Sequence, residues 1–541
     1  MIKLQYVLPR KEGLKLKNNN RKGSFLESAF ILTISTAFVK LAGLLFTIPI
    51  SNMLGGEGMG YFYAAYDIYN MLAVLASAGL PVAVSRMISE TLVAGNTDEA
   101  ERIYKVSTRI FTIIGAGIAF AMFFGADVFA AIIKSPNSGM SIRVLAVTAF
   151  CAFVMSSLRG YFQGHSIMTY TAVSQVIEAL SKLILGCALA YVLLRTELAY
   201  VGGSAGAIMG VSVGAVLSVT YLLISKRRFS KSEKPSGMPV RGDKAIIKEL
   251  FRIAIPVSLG ASVMSLVNLI DTTVIMRVLQ DGLGYTYERA NWLYGVFGNA
   301  KKIFNFPSAF IIPFTVSILP VLTAAYTAKD KDGVAKNLTN CFKYAMLLAL
   351  PAGIGITILA EPIMHIIYFR TPDEANAGAP ILAVFGIAVI LYAVVTISGA
   401  ILQSFGQVGK PLISLCVGGV IKCVLNAFLV GIASVNILGA PIATCVCYAV
   451  MTVMNLCFLK KYMTGCRAIV TNTLKIAGAS VIMGVFAYLV CSPLSAMLSV
   501  RKGGLIAIIL AAAVYAILVV LFKIITIKEI KSVLRKGKNE I

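Results

Sequence analysis

The sequence predicts an all-α polytopic membrane protein of about 14 transmembrane helices, in two six-helix lobes plus two C-terminal helices. Composition points there first: of 541 residues, 58% are hydrophobic and 13% charged, against about a quarter charged in soluble proteins. Apolar runs also recur from Phe25 to Ile525, so no intervening segment is long enough to bury a core of its own. The third observation is that Lys and Arg gather in alternate short loops, the bias that sets membrane topology.

A helix rises about 1.5 Å per residue and the hydrocarbon core is about 30 Å thick, so a span needs about 20 apolar residues. The runs that qualify are 25–54, 60–87, 106–133, 142–162, 170–194 and 205–224, then 253–276, 292–326, 344–367, 380–404, 411–432, 437–459, 469–491 and 505–525. They divide the chain into a basic N-terminal segment (1–24), a first lobe (25–225), a linker (226–248), a second lobe (249–463), two last helices (464–526) and a basic tail (527–541). The first 24 residues lack the short apolar core of a secretory signal, so the first span is expected to stay.

Counting alternate loops from a cytoplasmic N-terminus places about 34 basic residues inside and about 7 outside. Both termini are therefore expected in the cytoplasm, together with the linker, which carries Lys226, Arg227, Arg228, Lys231, Lys234, Arg241 and Lys244. The linker reads foremost as a topology signal that touches anionic lipid. The two lobes look like parallel repeats: a shift of 244 sets 158–182 on 402–426, with Glu178 opposite Lys422, and a shift of 235 sets 94–103 on 329–338.

The net charge of +25 does not point to nucleic acid, because it is spread over loops rather than one soluble face. Ten scattered cysteines form no paired CxxC elements, and His165 and His365 are far apart, so no metal is expected. The chain has no GxxxxGK[ST], HExxH or GxSxG pattern. It is not expected to be an enzyme, and no cofactor is expected.

Ionisable residues inside spans cost at least about 2.5 kcal/mol on insertion scales, so those present should face the bundle interior or water. Lys40 in span one and Lys301 and Lys302 in span eight fall near the midplane. Asn299 and Asn305 flank the span-eight pair, and Pro307 favours a kink, which suits a moving gate. Adjacent helical positions point about 100° apart, so one of Lys301 and Lys302 is expected to be structural. In span five, Glu178 and Lys182 are four apart and suit an internal ion pair. Asp67, Asp271 and Lys422 are further candidates for ion coupling or internal pairing, Lys422 repeating the four-residue spacing with Asn426. Tyr61, Tyr63, Tyr66 and Tyr69 fit an interfacial aromatic belt better than a sugar-stacking site.

The segment Ser157-Leu158-Arg159-Gly160-Tyr161-Phe162-Gln163-Gly164-His165, followed by Thr171-Ala172-Val173-Ser174-Gln175-Val176-Ile177-Glu178, resembles the SpoVB- and MurJ-like branch of the multidrug/oligosaccharidyl-lipid/polysaccharide exporter superfamily. So do Phe38-Val39-Lys40-Leu41-Ala42-Gly43, Leu54-Gly55-Gly56-Glu57-Gly58-Met59-Gly60 and Gly79-Leu80-Pro81-Val82-Ala83-Val84-Ser85, in the family's order. The resemblance covers essentially the whole chain. It implies a flippase of the bacterial plasma membrane that moves an undecaprenyl-pyrophosphate-linked sugar between leaflets by alternating access, with the peptidoglycan precursor lipid II the first candidate. It also implies that Lys40 takes the place of a first-span arginine and Lys302 that of an eighth-span basic residue before a Phe-Pro pair. Phe46 and Tyr61 stand where the resemblance leads one to expect an arginine and an aspartate.

Alternatives from other classes are a cation-coupled multidrug antiporter, which needs acids facing its cargo, and a non-transporting scaffold for cell-wall synthesis enzymes, which needs no mid-membrane charge. For the flippase the expected partners are the lipid-linked sugar, the bilayer and cell-wall synthesis enzymes, with the chain acting as a monomer. The driving force is expected from a coupling ion, H+ or Na+, or from the membrane potential.

Overall fold

In lipid, long apolar segments satisfy their backbone groups only as helices or closed barrels, and here every described regular element is helical. The computed structural model describes residues 19–230, 235–462 and 466–524. The basic tail, residues 1–18 of the basic N-terminal segment, and Lys231 and Lys234 of the linker lie outside the described residues.

The first lobe comprises α1 (Asn19–Ser77), α2 (Gly79–Val93), α3 (Thr97–Phe124), α4 (Ala126–Ile132), α5 (Gly139–Gly164), α6 (Thr169–Leu194) and α7 (Ala199–Ser230). The second comprises α8 (Asp243–Arg277), α9 (Tyr287–Thr327), α10 (Lys331–Ile358), α11 (Ala360–Ile367), α12 (Pro372–Ser404), α13 (Gly409–Val430) and α14 (Gly439–Leu459). The last two helices are α15 (Cys466–Met497) and α16 (Val500–Leu521). Among the described residues, twelve helical stretches are long and apolar enough to cross a membrane, the first being Ser35–Val93. That first stretch holds two passes, and α9, with two lysines near its centre, is the remaining predicted span. Together they make fourteen.

The two passes of the first stretch are separated at Gly55, whose φ of 59° and ψ of −165° break the helix and belong to a region essentially open only to glycine. Phe46 and Phe62, sixteen positions apart, would be about 24 Å apart along a straight helix. Their ring centroids are 6.0 Å apart, so α1 folds back on itself as a hairpin. α9 is helical throughout, including Pro307.

The two halves share caps and turns, at spacings that differ from the expected shifts. Gly95 (φ 80°) and Lys329 (φ 57°) both precede an Asx N-cap, Asn96 accepting from the Glu99 N–H and Asp330 from the Gly333 N–H. Both third spans then break into a short helix, α4 at Ala126 and α11 at Ala360. These landmarks are 234 residues apart. The turns after α5 and α12 are likewise closed by the same bonds, Ile167 N–H to Phe162 O and Gln407 N–H to Leu402 O, which is a shift of 240. The register is set by where left-handed residues and caps fall, and residue identity alone misjudged it. Glu178 is therefore not opposite Lys422; Lys182 is.

The lobes meet along α1 and α9 with almost no side chain between them. A β-carbon at Gly295 would stand 1.9 Å from the Gly56 carbonyl oxygen, and one at Gly60 would stand 2.0 Å from that of Asn291. Small residues allow this backbone approach where lipid supplies no hydrophobic drive between helices. Polar bonds close the same end of the molecule. The carboxylate of Glu374 accepts from the Gly56 N–H (3.3 Å) and the Trp292 indole N–H (3.2 Å). Ser135 donates to Asn291 (2.8 Å) and Lys134 pairs with Asp281 (3.0 Å). α15 and α16 pack outside the second lobe, Gly484 against Ile354 and Ile358, and Gly504 against Pro362.

At the opposite end the linker is shorter than expected, because α7 extends to Ser230 and α8 starts at Asp243. It is tied to the turn between α2 and α3. Asp98 accepts from the Gly237 N–H (2.7 Å), Asn96 donates to the Pro239 carbonyl (2.9 Å), and Arg241 pairs with Glu99 and with Glu249 at 2.5 Å. The Glu99 bond raises the arginine pKa further above its ordinary value. Arg102 pairs with Asp243 (2.7 Å) and Lys226 with Glu101 (2.6 Å), so much of this basic charge meets protein carboxylates.

Candidate functional site

Between the lobes the second half of α1, α6, α8 and α9 enclose a cavity of about 260 Å³. Lys182 reaches it from α6, and Lys301 and Lys302 from α9. The wall opposite is aromatic and polar: Phe62, Tyr63, Tyr66, Asp67 and Asn70 of α1, Asn268 of α8, and Tyr294 and Asn305 of α9.

The three lysines are held in different ways. The Lys182 ammonium lies over Phe46 (4.8 Å to the centroid), Tyr66 (4.8 Å) and Phe62 (5.5 Å). Lys302 lies over Phe46 (5.7 Å) and Tyr63 (5.9 Å), so the two ammonium groups flank one ring. Lys301 donates to Asn268 (3.3 Å) and lies 5.8 Å from the Phe297 centroid. Among the described residues, no carboxylate is within ion-pair distance of any of the three. Ring faces attract a cation without cancelling its charge, an attraction of about 0.5–2 kcal/mol each. The charge therefore remains for an anion.

Among the described residues Asp67 is the one carboxylate lining this cavity, and it accepts hydroxyl bonds from Tyr294 (2.5 Å) and Thr272 (2.9 Å). Lys40 stands outside the cavity, exposed on α1, within electrostatic reach of Lys302. Asn299 does not line it: its amide donates to Ser51 (2.7 Å) and Tyr368 (2.5 Å), and its carbonyl accepts from Tyr63 (2.6 Å). With its hydrogen-bonding capacity used inside the fold, Asn299 is a tie between spans. Asn305 does line the cavity.

Several expectations change here. Glu178 pairs with Arg159 (2.6 Å), across from α5, and not with Lys182 four residues along its own helix. Lys301 and Lys302 share one cavity after all, because their long stems diverge, one toward α8 and the other toward α1. Tyr63 and Tyr66 line this cavity and Tyr61 is fully buried, so these do not form an interfacial belt. The recurrence of Tyr63, Tyr66 and Tyr69 every three residues was the available signal. Lys422 is buried and its ammonium sits 2.5 Å from Asp271, itself held by Asn426; this is an internal ion pair. The Phe46 position lacks an arginine, yet Lys182 brings a cation to that ring.

Among the described residues no three of His, Cys, Asp or Glu gather as a metal site. A family model for polysaccharide biosynthesis proteins matches residues 25–326, more than half of the chain. The chain belongs to the polysaccharide biosynthesis protein family. A second model, MatE, matches residues 295–428 of this family member. The lipid II flippase MurJ of Bacillus subtilis is 26% identical over 90% of this chain and 93% of its own length. Stage V sporulation protein B of the same organism is 24% identical over 95% and 98% respectively. A solved lipid II flippase MurJ in an inward closed conformation superposes with a TM-score of 0.70 at 15% identity, covering 91% of this chain and 98% of that one. The fold of this polysaccharide biosynthesis family member is thus like that of the solved MurJ.

Proposed function

We propose that the protein is a flippase that carries an undecaprenyl-pyrophosphate-linked oligosaccharide, lipid II first among them, across the membrane by alternating access. The observation that carries the reading is the group of three lysines in one interlobe cavity, held by rings and an amide, with a single lining carboxylate, Asp67, and none within ion-pair distance among the described residues. A pyrophosphate cannot enter hydrocarbon unpaired, and mid-membrane ammonium groups offer it charge-assisted hydrogen bonds. The naming of the MurJ relative supports the same substrate class. A cation-coupled drug antiporter fits the MatE match, but three lysines against Asp67 repel cationic cargo. The protein binds and moves its substrate without altering it.

Orientation in this proposal follows the basic loops: both termini and the linker are cytoplasmic, and the end closed by Glu374 faces outward. Lys40, at the cavity's approach, is a first contact for the pyrophosphate. One charge moved through 100 mV is worth about 2.3 kcal/mol, so the membrane potential suffices to bias the empty cationic cavity; H+ or Na+ coupling is the alternative source. The test is reconstitution into liposomes with fluorescent lipid II and a leaflet-specific quencher. Wild-type protein is expected to equilibrate the label across leaflets, and Lys302→Glu to abolish this. Equal rates with and without wild-type protein would overturn the reading.

A further inference from the structure

A second chamber, of about 470 Å³, adjoins the lysine cavity inside the first lobe. Its walls come from α1, α2, α5 and α6, and Asn70 lines both spaces. The two chambers are stacked along the same helices. On α1 the lysine cavity takes Phe62 to Asn70 and the second chamber Tyr69 to Ser77; on α6 the first takes Lys182 and the second takes Glu178, Gln175 and Thr171. The second chamber therefore begins about one helical turn further on, toward the linker end.

Its chemistry differs from its neighbour's. The charged pair, Arg159 and Glu178, is matched at 2.6 Å, and Arg159 also donates to Ser174 at 3.0 and 3.1 Å. The space thus has no net charge to offer. What it does offer is neutral polar groups without protein partners. Among the described residues, the side-chain amides of Asn70, Gln163 and Gln175 make no protein hydrogen bond. Thr171, a residue of the chamber wall, is 2% exposed, and among the described residues its hydroxyl has no partner. Buried hydroxyls are almost always bonded, and the Thr171 hydroxyl, itself closed to solvent at the chamber wall, is the exception among the chamber's buried hydroxyls. The volume lies in the range of ligand sites.

We infer that this chamber is a subsite for the uncharged, hydroxyl- and amide-bearing part of the headgroup, the sugar end, while the lysine cavity holds its pyrophosphate. The inference rests on the proposed function and adds a division of labour to it. Lys182 and Lys302 recognise charge, which any lipid pyrophosphate presents. Gln163, Gln175 and Thr171 recognise what is attached to it, and so set specificity. A site built from hydrogen-bonding groups discriminates sharply against a ligand that leaves them unpaired.

The experiment compares two probes on the purified full chain in lipid nanodiscs: undecaprenyl pyrophosphate, which lacks the sugar, and lipid II. Gln163→Leu with Gln175→Leu is expected to weaken lipid II binding at least about tenfold and to leave undecaprenyl pyrophosphate binding unchanged, which also shows that the variant is folded. Thr171→Val should shift binding in the same selective way. Lys302→Met should weaken both probes together. The subsite is overturned if the glutamine variant binds lipid II as the wild type does, or loses both probes alike. Failure of the wild type to bind either probe would instead overturn the proposed function, and the subsite with it.

Discussion

Lys182 and Lys422 occupy equivalent positions in the two lobes, 240 residues apart, yet among the described residues only Lys422 has a carboxylate, Asp271 at 2.5 Å. Its mate lies over three aromatic rings at the cavity between the lobes. One lysine of the pair is thereby fixed in the fold, and the other is left with its charge available. The asymmetry predicts opposite consequences for one substitution. Lys422→Met strands a buried Asp271 and should destabilise the protein by roughly 3–5 kcal/mol, seen as low abundance and a lowered melting temperature in detergent. Pairing it with Asp271→Asn should restore most of that loss. A stable Lys422→Met single variant would contradict the assignment.

Lys182→Met should behave otherwise. No partner is stranded, so abundance and melting temperature should stay near wild type while lipid II transport falls at least tenfold. Were the variant instead unstable and its small folded fraction fully active, Lys182 would be a packing residue.

For Lys302 and Lys40 the sign of the charge is expected to matter more than its shape. Lys302→Arg should retain partial transport, because a guanidinium keeps the charge but brings a planar fork in place of a compact ammonium. Lys302→Met should be folded and inactive, and Lys40→Met should raise the lipid II concentration needed for half-maximal transport. Normal flipping by abundant Met variants at both positions would remove the pyrophosphate role.

The contact between Ser135 and Asn291 closes one end of the molecule across the lobes. In an otherwise cysteine-free protein, Ser135→Cys with Asn291→Cys should form a disulfide on oxidation, stop transport, and recover it with a thiol reductant. Undiminished transport by the fully cross-linked form would show that these ends need not part.

Topology is open to labelling. A single cysteine at Gly237 should react with an impermeant maleimide only after cells are permeabilised, whereas one at Asp373 should react in intact cells. Labelling of position 237 from outside would invert the proposed orientation.

The helical spans were legible in the sequence, because in lipid a run of about twenty apolar residues has one local solution that needs no knowledge of its neighbours. The mid-span lysines were legible for the same reason, since an ionisable residue there stands out against apolar surroundings. Partners were not. Four-residue spacing on α6 suggested Glu178 with Lys182, but α5 brings Arg159 against that carboxylate, and the lysine stem swings to the rings of the folded-back α1. Asn299 has the polar chemistry of a binding residue, and only the convergence of Ser51, Tyr63 and Tyr368 shows it to be saturated. Local periodicity reports which face of a helix a residue takes, whereas ion pairing and cavity lining depend on which other helix arrives there. That was decided by glycine-lined crossings and capped turns hundreds of residues away in the chain.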